Sequence, residues 1–138
     1  MRTQNYRDQH DQLLRIATEL AAITQAGKAG TQSDVARRHL SELAGKLNLH
    51  LAMEDKSLYP ALLSHPDEKV RATAKKFVDE MGGIAAAFTG YLAHWPTPGS
   101  IAKAPQDFAK ETAGIIKALG DRIQKENTVL YPLADKAP

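Results

Sequence analysis

The chain states one phrase twice. His50-Leu51-Ala52-Met53-Glu54-Asp55-Lys56-Ser57-Leu58-Tyr59-Pro60 is echoed as Arg122-Ile123-Gln124-Lys125-Glu126-Asn127-Thr128-Val129-Leu130-Tyr131-Pro132, with Glu126 standing 72 positions after Glu54. Each glutamate is followed by Leu-Tyr-Pro at the same spacing. Four residues earlier stands His50 in one copy and Arg122 in the other. Residues four apart on an α-helix share a face and lie about one turn, roughly 5.4 Å, apart. A His and a Glu in that relation can grip one metal ion, whereas an Arg and a Glu grip each other. The repeat therefore restricts the fold to paired helical halves, and its one altered position carries much of the functional question.

Hydrophobic periodicity around the repeat predicts four amphipathic helices. The first runs from about Asn5 to Gln25, with Tyr6, His10, Leu13, Ala17, Leu20 and Thr24 on one stripe. Residues 27–32 form a break, with Ser33 as N-cap of the second helix. That helix carries Leu40, Leu43, Leu47, His50, Glu54 and Leu58, and is expected to stop or kink at Pro60, which lacks an N–H and clashes with the preceding turn. After His65-Pro66-Asp67, the third stripe comprises Ala74, Phe77, Met81, Ile84, Phe88 and Tyr91. It crosses Gly82-Gly83, although glycine costs about 1 kcal/mol against alanine inside a helix. Trp95 to Pro105 holds three prolines and a glycine and reads as a loop; the fourth stripe is Phe108, Ile115, Leu119, Arg122 and Glu126. No long strand-like alternation occurs. The expected fold is all-α, an up-down-up-down four-helix bundle of two pseudo-symmetric helical hairpins, with residues 1–138 as a single domain. Helices one and three match loosely at an offset of 71, which sets His10 against Met81.

A chain of 138 residues can bury a real core. The net charge of +2 comes from dispersed lysines and arginines, so no nucleic-acid footprint is expected. The polar opening residues are unlike a signal peptide and no run reaches transmembrane length, which gives the expectation of a cytoplasmic protein with no membrane association. Without cysteine, disulfides, thiolate zinc sites and cysteine nucleophiles are excluded.

His10, His50, Glu54, Arg122 and Glu126 fall on stripes that should be apolar. A buried ionised group must be paired, metal-bound or neutralised. One account is a metal: imidazole and carboxylate donors without sulfur suit iron, manganese or zinc. The other is a metal-free network with Arg122 between Glu54 and Glu126 and the histidines hydrogen-bonded nearby. Spacing alone does not choose between them.

The His50–x3–Glu54–x3–Leu-Tyr-Pro phrase, its echo at Glu126, and an early histidine at His10 resemble the hemerythrin-like HHE cation-binding family over essentially the whole chain. The resemblance implies two non-haem irons in a bundle core, one held by histidines of helices one and two, the other by histidines of helices three and four, with carboxylates of helices two and four between them. Carried over by position, His10 and His50 supply the first half-site and Glu54 and Glu126 the carboxylates. The second half-site is depleted: Met81 and Arg122 stand where histidines are expected. The expectation is one divalent metal at His10, His50, Glu54 and Glu126 (iron first, manganese or zinc next) or none, with Arg122 in the second metal's place and no diiron oxygen carriage. A role in sensing metal, oxygen or nitrosative stress is what the resemblance implies. The alternative is a helical interaction or structural protein built on an Arg122–Glu54–Glu126 salt-bridge network. Non-haem iron enzymology is a weaker third, because no substrate pocket is marked. A protein partner is not identifiable, and a homodimer is compatible with the chain.

Other polar residues read more simply. His39 lies about three turns, roughly 16 Å, from His50 and is expected at the core edge, facing Glu111. His65 and His94 are expected in solvent. Tyr6 and Met81 are expected to pack, and Tyr59-Pro60 and Tyr131-Pro132 to mark helix ends.

Overall fold

The computed structural model describes residues 3–136. Among these, helix is the sole regular structure. Helix α1 spans Gln4–Gln25 and closes where Gly27 takes φ 71°, a left-handed conformation that favours glycine. Gly27 N–H then bonds to Thr24 O at 3.1 Å and Lys28 N–H to Ile23 O at 3.0 Å, satisfying carbonyls the helix end leaves free. Helix α2 spans Ser33–Met53; its N-cap is Gln32, so Ser33 is the first helical residue rather than the cap.

Of the two outcomes expected at Pro60, a stop or a kink, the stop does not occur. A π-turn over Glu54–Leu58 leads directly into α3, Tyr59–Leu63, and Tyr59 N–H reaches back five residues to Glu54 O. An α-turn would set the proline ring against the carbonyl four residues earlier; the wider turn relieves that clash. The same device recurs in the echo. Helix α6, Pro105–Lys125, passes through a π-turn at Glu126–Leu130 into α7, Tyr131–Lys136, with Tyr131 N–H bonded to Glu126 O.

Helix α4, Glu68–His94, starts at Asp67, whose side chain accepts from Lys69 N–H at 2.9 Å. It runs unbroken through Gly82 and Gly83. The expected loop at residues 95–105 contains a short helix, α5, Pro98–Lys103. One of the prolines that suggested a loop starts it instead: Pro98 pre-sets the first helical φ, while Thr97 and Ser100 cap each other's backbone N–H groups.

Helix α1 packs against α2 and α6, α4 packs against α6 and α3, and α5 covers α2. The apolar interior falls into two clusters. One gathers Leu13, Leu20, Leu40, Leu43, Leu47, Phe88, Phe108 and Leu119. The other gathers Tyr6, Leu58, Leu62, Ala74, Phe77, Leu130 and Tyr131. Burying each leucine or phenylalanine contributes about 1.5–3 kcal/mol. Along α1, α2 and α6 alike, the crossing from one cluster to the other is marked by buried polar groups: His10, then His50 and Glu54, then Arg122 and Glu126. Among the described residues, no helix is long and apolar enough to cross a membrane.

Candidate metal centre

Three atoms converge in the layer between the clusters. His10 Nε2 lies 3.1 Å from His50 Nε2 and 3.1 Å from Glu126 Oε1. The three residues each offer one donor atom within 4.8 Å of the other two, and all three are buried. Helices α1, α2 and the second π-turn supply them.

The far side of each imidazole is held by an amide oxygen. His50 Nδ1 meets Gln9 Oε1 at 2.6 Å and His10 Nδ1 meets Asn127 Oδ1 at 2.8 Å. An amide oxygen only accepts, so both Nδ1 atoms must be the donors. Gln9 is held in that orientation by its Nε2, which faces Met53 Sδ at 2.9 Å. In neutral rings so fixed, both Nε2 atoms carry lone pairs, and these point at one another and at a carboxylate oxygen. Three acceptors within contact distance and out of water repel unless a cation or additional protons lie among them. The donor set therefore fits a divalent ion of the nitrogen-and-oxygen class.

Glu54 borders this triad rather than joining its tight grouping. Its Oε1 is 3.3 Å from His50 Nε2 and, though buried, has no hydrogen-bond partner, while its Oε2 accepts from Tyr131 O–H at 2.7 Å. An unpartnered buried carboxylate oxygen beside an imidazole lone pair is a second sign of a missing positive charge. Burial pushes the Glu54 carboxyl up, but the nearby His50 and the Tyr131 hydroxyl outweigh it and hold the group below the usual carboxylate range. At Glu126 burial prevails over the His10 bond, the Glu54 charge adds to it, and the carboxyl lies above that range. Two matched glutamates of the repeat thus differ in charge tendency.

The tyrosines of the repeat belong to the centre, contrary to their expected role as helix ends. Tyr131 O–H sits 2.7 Å from Glu54, 3.1 Å from His10 Nε2 and 3.5 Å from His50 Nε2. Tyr59 O–H points at Glu126 Oε2 from 3.5 Å. Each half's tyrosine thus addresses the other half's glutamate. On a regular α-helix, a residue five positions after a glutamate lies about 140° around the axis. The π-turns bring it back toward the centre. Burial, followed by the charges of the two glutamates, raises both phenols well above their ordinary value.

Arg122 corrects the expected salt-bridge core. It is buried on the predicted stripe, but its guanidinium turns outward: Nη1 bonds to Glu80 Oε2 at 3.1 Å, Nη2 bonds to Phe77 O, and its carbon lies 4.4 Å from the Phe77 ring centroid. Neither Glu54 nor Glu126 receives a hydrogen bond from it among those formed. The reason lies in α4, whose turn at Glu80 offers a half-solvated carboxylate and a ring face; these engage both Nη atoms without desolvating a second charge, while the buried Nε is left without a partner. Lys125 joins the same carboxylate at 3.0 Å.

A family model for the hemerythrin HHE cation binding domain matches residues 1–134. The chain belongs to that family. No curated protein and no solved structure matches it. In this hemerythrin-type chain, His10 and His50 meet as the resemblance implied, with Glu126 from the other half. Met81 is buried and makes no part of the triad. Tyr6 packs edge-on to the His50 ring at 6.2 Å and beside Tyr131 at 5.8 Å.

His39 faces Glu19 at 3.5 Å and Glu42 at 3.8 Å instead of Glu111, because it looks toward α1 rather than the α4–α6 side. Glu111 binds the exposed His94 at 2.8 Å and Trp95 Nε1–H at 2.5 Å. His65 is only half-exposed, its Nδ1 accepting from Asp67 N–H at 3.0 Å. Gln9 and Asn127 had no signal beyond adjoining His10 and Glu126. The tyrosines did have one: identical spacing in both copies.

Proposed function

We propose that this hemerythrin-type chain is a metal-holding protein with one divalent ion in its core, bound through His10, His50 and Glu126 with Glu54 closing the set. The observation that carries it is the convergence of two imidazole lone pairs and a carboxylate oxygen at 3.1 Å, with both Nδ1 atoms committed elsewhere. Iron suits these donors, and manganese or zinc can replace it. Bound there, the ion would supply positive charge and Lewis acidity; the protein supplies orientation and a site closed to water. With donor residues no more than 2% exposed, the centre favours a resident ion over a bulky substrate, which supports holding or sensing rather than enzymology.

The architecture in this reading is an up-down-up-down bundle acting as one domain. Its four long members are α1, α2 with α3, α4, and α6 with α7, the π-turns being wide steps within two of them. Met81 and Arg122 leave the second half with no histidine to answer His10 and His50, so two-iron oxygen carriage is not expected.

Elemental analysis of protein produced with iron, manganese and zinc available tests this. One metal per chain, lost in His50→Ala and weakened in Glu54→Gln, is the expected result. Two irons per chain, or none in protein whose helix content is intact, would overturn it.

A further inference from the structure

A cleft of about 220 Å³ lies between the second helix and α4, and Tyr59 is part of its wall. Leu51, Val78, Met81 and Ala85 give it apolar sides, and Gly82 leaves one side low. Tyr59 is 4% exposed, and its hydroxyl stands 3.5 Å from Glu126 Oε2. One side chain therefore borders both the cleft and the buried centre. Gly82 is exposed on α4, and a Cβ added there would meet nothing within 4 Å. The glycine is thus not required for helix packing or for Arg122; what it preserves is open space at the cleft. Met81, where the family pattern leads one to expect a histidine, gives this side a soft apolar surface instead of a ligand.

We infer that this cleft admits small, neutral, weakly hydrated molecules to the centre, with Tyr59 as the door. This inference rests on the metal reading above. Size and chemistry set the class. The volume is below the roughly 300 Å³ at which ordinary small-molecule pockets begin, yet several times the roughly 30 Å³ share of one water. The walls offer almost no hydrogen bonds, and the carboxylate at the rim, Asp55, is exposed and negative. Anions are therefore disfavoured, and a neutral molecule of two or three heavy atoms is favoured.

Two measurements test this with Gly82→Leu, which places a side chain in the opening, and Gly90→Leu, an equivalent change two turns along the same helix. In metal-free protein, dissolved xenon should shift the methyl resonances of Leu51, Val78, Met81 and Ala85. The shifts should vanish in Gly82→Leu and persist in Gly90→Leu. In iron(II)-loaded protein, nitric oxide association followed by stopped flow should slow about tenfold in Gly82→Leu and stay unchanged in Gly90→Leu, with metal content equal in all three. No xenon response in the wild type overturns the cleft as a binding site. A xenon response with an unchanged nitric oxide rate in Gly82→Leu overturns it as the route. Protein that takes up no iron sinks the metal reading instead, and the xenon result then decides the cleft alone.

Discussion

Replacing Tyr131 by phenylalanine removes one oxygen from the middle of the centre and almost nothing else. That hydroxyl is fully buried and donates to Glu54 Oε2 at 2.7 Å, and the other oxygen of the same carboxylate already lacks a hydrogen-bond partner. A hydrogen bond to a charged acceptor contributes about 1.5–3 kcal/mol, and the carboxylate left behind would have no hydrogen-bond donor. In metal-free protein Tyr131→Phe should therefore lose about 1.5–3 kcal/mol at neutral pH, read by urea denaturation. For a chain of this size that corresponds to a midpoint lower by about 5–10 °C. The pH dependence has a defined sign. Glu54 lies below its ordinary value in the folded protein, so its contribution is present above the unfolded value of about 4.3 and disappears as pH falls through the folded one. Losing the Tyr131 donor raises the folded value, so the gap between variant and wild type should be widest at neutral pH and should narrow in acid. Tyr59→Phe is the internal comparison: its contact with Glu126 is 3.5 Å long, and that carboxyl lies above the ordinary range. It should cost under about 1 kcal/mol. Equal losses in the two variants, or a Tyr131→Phe loss that does not change with pH, would refute the reasoning.

Three further outcomes are expected. Asn127→Leu and Gln9→Leu, which free the far nitrogens of His10 and His50, should each weaken metal binding about 10–100-fold by competition titration while leaving the ligands in place. Arg122→Lys keeps the charge but loses the fork to Phe77 O and Glu80; it should lower stability by about 1.5–3 kcal/mol in urea yet leave metal affinity nearly unchanged, a result opposite to that of a guanidinium bridging the glutamates. Gly82→Ala, exposed within α4 and meeting nothing, should raise stability by up to about 1 kcal/mol in thermal unfolding.

Much of this molecule was legible because its polar exceptions fell where an apolar stripe should be. His10, His50, Glu54, Arg122 and Glu126 were singled out by helical period alone, and all five are buried. The period also found α1, α2, α4 and α6, and placed both ends of α1 within a residue. It failed where the helix changed its own pitch. A constant 3.6-residue frame carried through Glu54 and Glu126 puts Tyr59 and Tyr131 on the wrong side, and makes Pro60 a terminator when the π-turn admits it. Arg122 departs from expectation for a different reason. Its stripe position was legible, but Glu80 and Phe77 lie 42 and 45 residues away, and which of several acidic partners a long side chain reaches depends on the register between helices. Gln9 and Asn127 escaped for the same reason.

The division of the apolar interior by a charged layer gives the molecule a joint. On either side, leucines and aromatics close against each other without help; across the layer, contact passes through phenols that donate to carboxylates and through imidazole lone pairs and carboxylate oxygens that repel unless a cation or added protons lie among them. An ion there would act less like a filling in a cavity than like a bolt between two plates. Stripping it should loosen the seam before either plate, so amide exchange in metal-free protein should quicken around residues 10, 50, 54 and 126 while the leucine-rich centres of α1 and α2 stay protected.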